Sequence, residues 1–106
     1  MPNMIRIEVS YVDGKIRELS VEGHSNFAKL GKDIVCAAVS SIVIGGANAI
    51  ENPKCYTFKE KDGYFLIHEI ASTSESDYQT LKVMVTQLKT VSEAFPKNVS
   101  IIEKGN

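Results

Sequence analysis

Two Asp-Gly pairs, Asp13-Gly14 and Asp62-Gly63, do most to limit what this chain can fold into. A two-residue type I′ hairpin turn needs positive φ at both central positions, which glycine adopts freely and aspartate tolerates. Before the first pair, "MIRIEVSYV" alternates Ile5, Ile7, Val9 and Tyr11 with Arg6, Glu8 and Ser10, the period-two pattern of a strand buried on one face. After it comes "KIRELSVEG", whose apolar phase shifts between Ile16 and the Leu19/Val21 pair; a bulge or a late strand start would each account for the shift. The second pair separates "CYTFKEK" from "GYFLIHEIA", runs rich in aromatic and β-branched residues. Two hairpins are therefore predicted.

Each hairpin is followed by a helical segment. Asp33 is the predicted N-cap of "IVCAAVSSIVIGGANAI", and Pro53 stops the chain just beyond it. The apolar residues of this segment fall on nearly every face, so it must be buried between layers or against another chain; in so small a protein that predicts a homodimer. Gly45 and Gly46 each cost about 1 kcal/mol of helix propensity, which points to a packing reason. The second segment, "STSESDYQTLKVMVTQLKTVSEAFP", opens with a Ser72 to Glu75 capping-box spacing. It then carries Tyr78, Leu81, Met84, Val85, Leu88, Val91 and Phe95 at helical intervals. It reads as an amphipathic helix ended by Pro96, and "NVSIIEKG" supplies a last strand. The predicted order is ββαββαβ, an α+β fold with an antiparallel or mixed sheet and two helices packed against it.

At 106 residues the chain is expected to form one domain, residues 1–106. Twelve basic and thirteen acidic residues leave a net charge of -1, which gives no general electrostatic footprint for nucleic acid or an anionic membrane. The longest uncharged run, Ile34 to Ile50, is too short and too polar to span a bilayer. The opening residues show no secretory signal pattern, so a reducing, cytoplasmic location is expected and a Cys36–Cys55 disulfide is not. Cysteine and histidine spacing offers no metal site and no cofactor motif.

Chemistry concentrates in "GHSNFAKLGKDIVCAAVSS". Taken alone, Cys36 is a small hydrophobe inside an apolar helix. With Asp33 as N-cap, however, it sits at the third helical position, where unpaired amides and the helix dipole favour a thiolate; the Asp33 carboxylate opposes that ionisation. His24 alone is an ordinary loop residue, yet Gly23 lets the backbone turn, and the eight residues Ser25 to Lys32 are enough to bring His24 to the helix start. A cysteine at a helix start with a histidine on another element suits acyl transfer, the histidine taking the thiol proton and later protonating the leaving amine. First-turn amides could hold the oxyanion. Cys55 lacks a helix start or a nearby histidine and reads as structural, and His68 as a strand-face residue.

"GH" followed by "GKDIVCAAVSS" resembles the bacterial ribosomal-processing cysteine protease family, Prp, over the whole length of the chain. The resemblance implies a small cytoplasmic homodimer of α+β fold with a catalytic dyad, here His24 and Cys36. Gly23, Asp33 and Ser40 also match the family's pattern. It implies that the substrate is a large-subunit ribosomal protein carrying an N-terminal extension, which the enzyme removes. The stretch between the dyad residues, Ser25, Asn26, Phe27, Ala28, Lys29, Leu30, Gly31 and Lys32, corresponds to a loop that orders over the peptide, with Phe27 and Leu30 as apolar contacts. Asp33 either orients His24 or caps the helix; Ser40, one turn after Cys36, either donates to the site or bonds its own helix backbone. The competing reading is a non-enzymatic ribosome-associated or RNA-binding module, a common use of a small sheet with two helices. The near-neutral charge and the lack of a basic, aromatic-rich segment argue against it.

Overall fold

The computed structural model describes residues 4–23, 32–61 and 63–105, with Lys32 and Asp33 described through their backbone. The elements follow the predicted order: β1 (Ile5–Val12), β2 (Lys15–Glu22), α1 (Lys32–Ala49), β3 (Tyr56–Lys61), β4 (Tyr64–Glu69), α2 (Glu75–Ala94) and β5 (Val99–Gly105). A single 3-10 turn, Pro53–Cys55, leads into β3. The five strands form one mixed sheet in the order β3-β4-β2-β1-β5. Among the described residues β1 and β5 run parallel, and the other pairs are antiparallel.

Local chemistry sets the hairpins. Asp13 and Gly14 have φ of 53° and 77°, the double positive φ that a type I′ turn requires. Gly63, in the second turn, has φ of 80°, while its neighbour Asp62 lies outside the described residues. The phase shift in β2 is a bulge: Ser10 pairs with Glu18 but Tyr11 pairs with Ile16, leaving Arg17 without an opposite residue. The extra residue turns Ile16 back toward the side that holds Leu19 and Val21, so all three are buried.

Both helices cover the same face of the sheet. Ile5, Ile7, Val9, Leu19, Val21, Phe65 and Ile67 meet Val35, Val39 and Val43 of α1 and Leu81, Met84, Val85 and Leu88 of α2 in one apolar cluster. α2 packs on β2 and β5 and α1 packs beside α2. A Cβ on Gly46 would come within 2.3 Å of Met84, so this glycine is where the two helices touch; Gly45, one residue earlier, faces open space. The opposite face of the sheet is polar, with cross-strand pairs Arg6–Glu22 (3.6 Å), Lys104–Glu8 (2.9 Å) and His68–Glu18 (2.7 Å). α1 is buried along Val35, Val39 and Val43 but leaves Ile34, Ala37, Ser41 and Gly45 exposed, with Ile34 at 65%.

Two helix starts differ from expectation. α1 begins at Lys32, so Asp33 lies within its first turn and is not its N-cap. For α2 the N-cap is Ser74, whose hydroxyl accepts from the Asp77 amide at 3.2 Å; Ser72 and Glu75 do not form the capping box. Asp77 is fully buried and does not reach back to its own helix cap. Its carboxylate instead accepts from the Glu51 amide (2.8 Å), the Asn52 amide (3.1 Å), the Asn52 side chain (3.0 Å) and the Thr73 hydroxyl (2.7 Å). Burial pushes its pKa up, but the donors from Glu51, Thr73 and Asn52 outweigh that and hold the carboxyl below its ordinary value. Asp77 thus ties the end of α1 to the start of α2.

Candidate active site

The site is fixed by two anchors, Gly23 at the end of β2 and α1 with Cys36. Gly23 has φ of +98°, which an L side chain rarely adopts. A Cβ there would also lie 2.5 Å from the carbonyl oxygen of Met4. Its amide donates to the carbonyl of Gly63 at 2.8 Å, so the chain leaves β2 pinned between the start of β1 and the turn before β4. Position 24 begins from that pinned point. His24 itself, together with Ser25, Asn26, Phe27, Ala28, Lys29, Leu30 and Gly31, lies outside the described residues.

α1 is anchored from its other end. Through Glu51 and Asn52 its C-terminal side is held by Asp77, beside the segment where β3 starts and β4 finishes. Eighteen residues of helix extend about 27 Å, against about 20 Å for a six-residue strand. The C-terminal half of α1 lies beside β3 and β4, where Ile44 and Ala47 line a cavity with Phe58 and Phe65.

Cys36 is the fifth residue of α1, half-buried and packed against the apolar cluster. The amides without an intrahelical acceptor belong to earlier residues, so Cys36 is two steps farther from the helix start than an Asp33 cap would have placed it. Helical side chains lean toward the N-terminus, which turns the thiol back toward that first turn and its amides. Ser40 lies one turn on, on the same flank and half-buried.

The residues read as structural are placed apart from this end. Cys55 closes the 3-10 turn, with its Sγ 3.6 Å from the carbonyl oxygen of Ser72, and it forms no disulfide with Cys36. His68 pairs with Glu18 across the β2–β4 register on the polar face. Asp77 and its role escaped sequence reasoning. A fully buried aspartate at the third position of a helix looks like a cap in sequence, and its partners lie 25 and 26 residues away.

The sequence model of the family described as cysteine protease Prp matches residues 4–100. A ribosomal processing cysteine protease Prp of Mycoplasma pneumoniae is 33% identical over 97 residues, covering 92% of this chain and 92% of that protein. Among solved structures, the essential ribosomal processing protease Prp of S. aureus in complex with a substrate peptide superposes with a TM-score of 0.84 at 26% identity, covering 95% of this chain and 100% of the other. The same S. aureus protease with a covalently linked product peptide gives a TM-score of 0.83 at 27% identity, with 95% and 100% covered. With strands β1 to β4, the pinned Gly23 and the helix bearing Cys36 all within residues 4–100, the chain belongs to the Prp family of cysteine proteases.

Proposed function

We propose that this protease removes the N-terminal extension of a large-subunit ribosomal protein, with Cys36 as nucleophile and His24 as general base and acid. The observation that carries the reading is the pinned Gly23 immediately before His24, in a family match that spans both His24 and Cys36. The relatives that bear the name of a ribosomal processing protease, one of them with a covalently linked product peptide, support it. In the proposed reaction His24 takes the Cys36 proton and the thiolate adds to the scissile carbonyl. First-turn amides of α1 stabilise the oxyanion. Collapse breaks the C–N bond, His24 returns the proton to the leaving amine, and a thioester remains. Water, deprotonated by His24, then hydrolyses the thioester and restores the thiol. Asp33, inside the first turn, either orients His24 or contributes only to the helix start, and the reaction needs no cofactor.

A cytoplasmic homodimer is part of the proposal. Its support is the flank of α1 that a single chain leaves exposed, Ile34 with Ala37 and Gly45. An RNA-binding role has less support, because Arg6 and Lys104 on the open sheet face are paired with carboxylates. The test is incubation with the extended ribosomal protein, followed by intact mass. Cys36→Ala and His24→Ala should each abolish cleavage while retaining the wild-type circular dichroism, and sedimentation should give twice the chain mass. Full cleavage by Cys36→Ala would sink the assignment; tight RNA binding at moderate salt without cleavage would favour the alternative.

A further inference from the structure

We propose that Gly63, in the turn between β3 and β4, is a positioning residue for the His24 base and acts through its carbonyl on Gly23. The inference rests on the reading of His24 as general base and adds the part of the fold that sets where that base begins. Gly23 and Gly63 are 40 residues apart in the chain. Three distant segments nevertheless converge on Gly23: the start of β1 through the Met4 carbonyl, the end of β2 that it follows, and the β3–β4 turn through the Gly63 carbonyl.

A glycine just before a reacting residue solves one problem and creates another. Glycine adopts the φ of +98° found at position 23 without strain, but the missing Cβ leaves its dihedrals loosely restricted. Consecutive Cα atoms are about 3.8 Å apart, so residue 24 starts one short step from this pivot. A rotation of about 15°, the ordinary scatter of backbone dihedrals, moves an atom about 4 Å from the axis by about 1 Å. Misplacing a reacting group by about 1 Å can lower a rate about 100-fold. The freedom at Gly23 must therefore be removed by contacts from outside its own strand.

Gly63 and Met4 remove it from two sides. The Gly23 amide donates to the Gly63 carbonyl at 2.8 Å, which fixes the peptide plane between Glu22 and Gly23. A Cβ on Gly23 would lie 2.5 Å from the Met4 carbonyl oxygen, so the backbone of β1 bounds rotation on the other side. Gly63 is itself held, because Glu22 and Tyr64, the residues next to the two glycines, pair in the β2–β4 register. Its φ is +80°, a conformation that L side chains rarely adopt. A side chain there favours negative φ, and recovering it rotates the peptide units of the turn and withdraws the carbonyl from the Gly23 amide. The positive φ of Gly63 thus serves both to close a hairpin and to present an acceptor to the neighbouring strand. Gly14 has φ of +77° in the turn at the opposite end of β2, which makes it a matched comparison.

The experiment measures kcat and KM for the extended ribosomal protein, and the pH dependence of Cys36 alkylation by iodoacetamide, read by mass on the Cys36 peptide. A base in place lowers the pH at which the thiol ionises, so the His24→Ala profile marks the midpoint without one. Gly63→Ala should lower kcat about tenfold to 100-fold with KM changed less than about twofold, and should move the alkylation midpoint toward that of His24→Ala. Gly63→Asn, whose side chain tolerates positive φ, should keep both near wild type. Gly14→Ala injures the same kind of turn and should leave kcat and the midpoint unchanged. An ester in place of the Glu22–Gly23 amide, introduced by joining synthetic residues 1–35 to 36–106 at Cys36, removes the donor alone. It should lower kcat and move the midpoint in the same directions, whether or not Gly63→Ala folds. A wild-type midpoint in the ester form would overturn the inference, as would an equal loss in Gly14→Ala or a fall in kcat with the midpoint unmoved. Undiminished cleavage by His24→Ala would instead refute the base on which the inference rests, a result distinct from these.

Discussion

Replacing Asp77 should cost this small protein a large share of its stability, and the cost should disappear in acid. Four donors converge on the carboxylate: the amides of Glu51 and Asn52, the Asn52 side chain and the Thr73 hydroxyl. A buried donor left without an acceptor costs about 1–3 kcal/mol. Glu51 and Asn52 are at the surface, where water recovers part of that loss, so the four do not add in full. Asp77→Ala is therefore expected to destabilise by about 3–4 kcal/mol, out of the 5–15 kcal/mol typical of a folded domain. Asp77→Asn keeps the shape but turns an amide NH₂ toward donors, and should cost about 2–3 kcal/mol. The folded-state pKa is depressed, so the charged carboxylate contributes stability above the unfolded value of about 3.9, and that contribution is lost as pH falls through the folded value. Urea unfolding of wild type and Asp77→Asn from neutral pH to about pH 2 measures both quantities. The gap in stability should be widest near neutrality and close as the wild-type carboxylate protonates. A gap below about 0.5 kcal/mol at neutral pH, or one that does not change with pH, would refute the latch.

The neighbouring glycines of α1 should respond with opposite sign. Gly45→Ala enters open space and should stabilise by about 0.5–1 kcal/mol, whereas Gly46→Ala forces Met84 aside in a packed core and should destabilise by about 1–2 kcal/mol, as read from urea midpoints. Gly23→Ala meets both a positive φ and the Met4 carbonyl, and should cost about 2–4 kcal/mol. Under conditions where Gly23→Ala remains folded, it should also cleave substrate more slowly, because it moves the point from which His24 departs; kcat measured below the unfolding transition checks this.

Much of the architecture was legible because it depends on near neighbours. Asp13-Gly14 makes its turn through its own φ values, and the alternation of Ile5, Ile7 and Val9 matches their complete burial. Local spacing also placed Cys36 in the early part of a helix and His24 just after a glycine that must turn. The order of strands, the parallel pairing of β1 with β5 and the choice of the bulge at Arg17 were decided by the tertiary structure, since each depends on which strand lies alongside. The same holds for the helix starts: Asp33 is as good a cap in sequence as Ser74, yet α1 begins one residue before it. Gly23 is required because Met4 and Gly63 approach it from distant parts of the chain, and Asp77 is charged and buried because Glu51, Asn52 and Thr73 surround it. The sequence by itself determined the elements and the chemical groups, through short-range sterics and periodicity. The meeting of those groups was left to long-range packing, which alone decides which donors, carbonyls and apolar faces become neighbours.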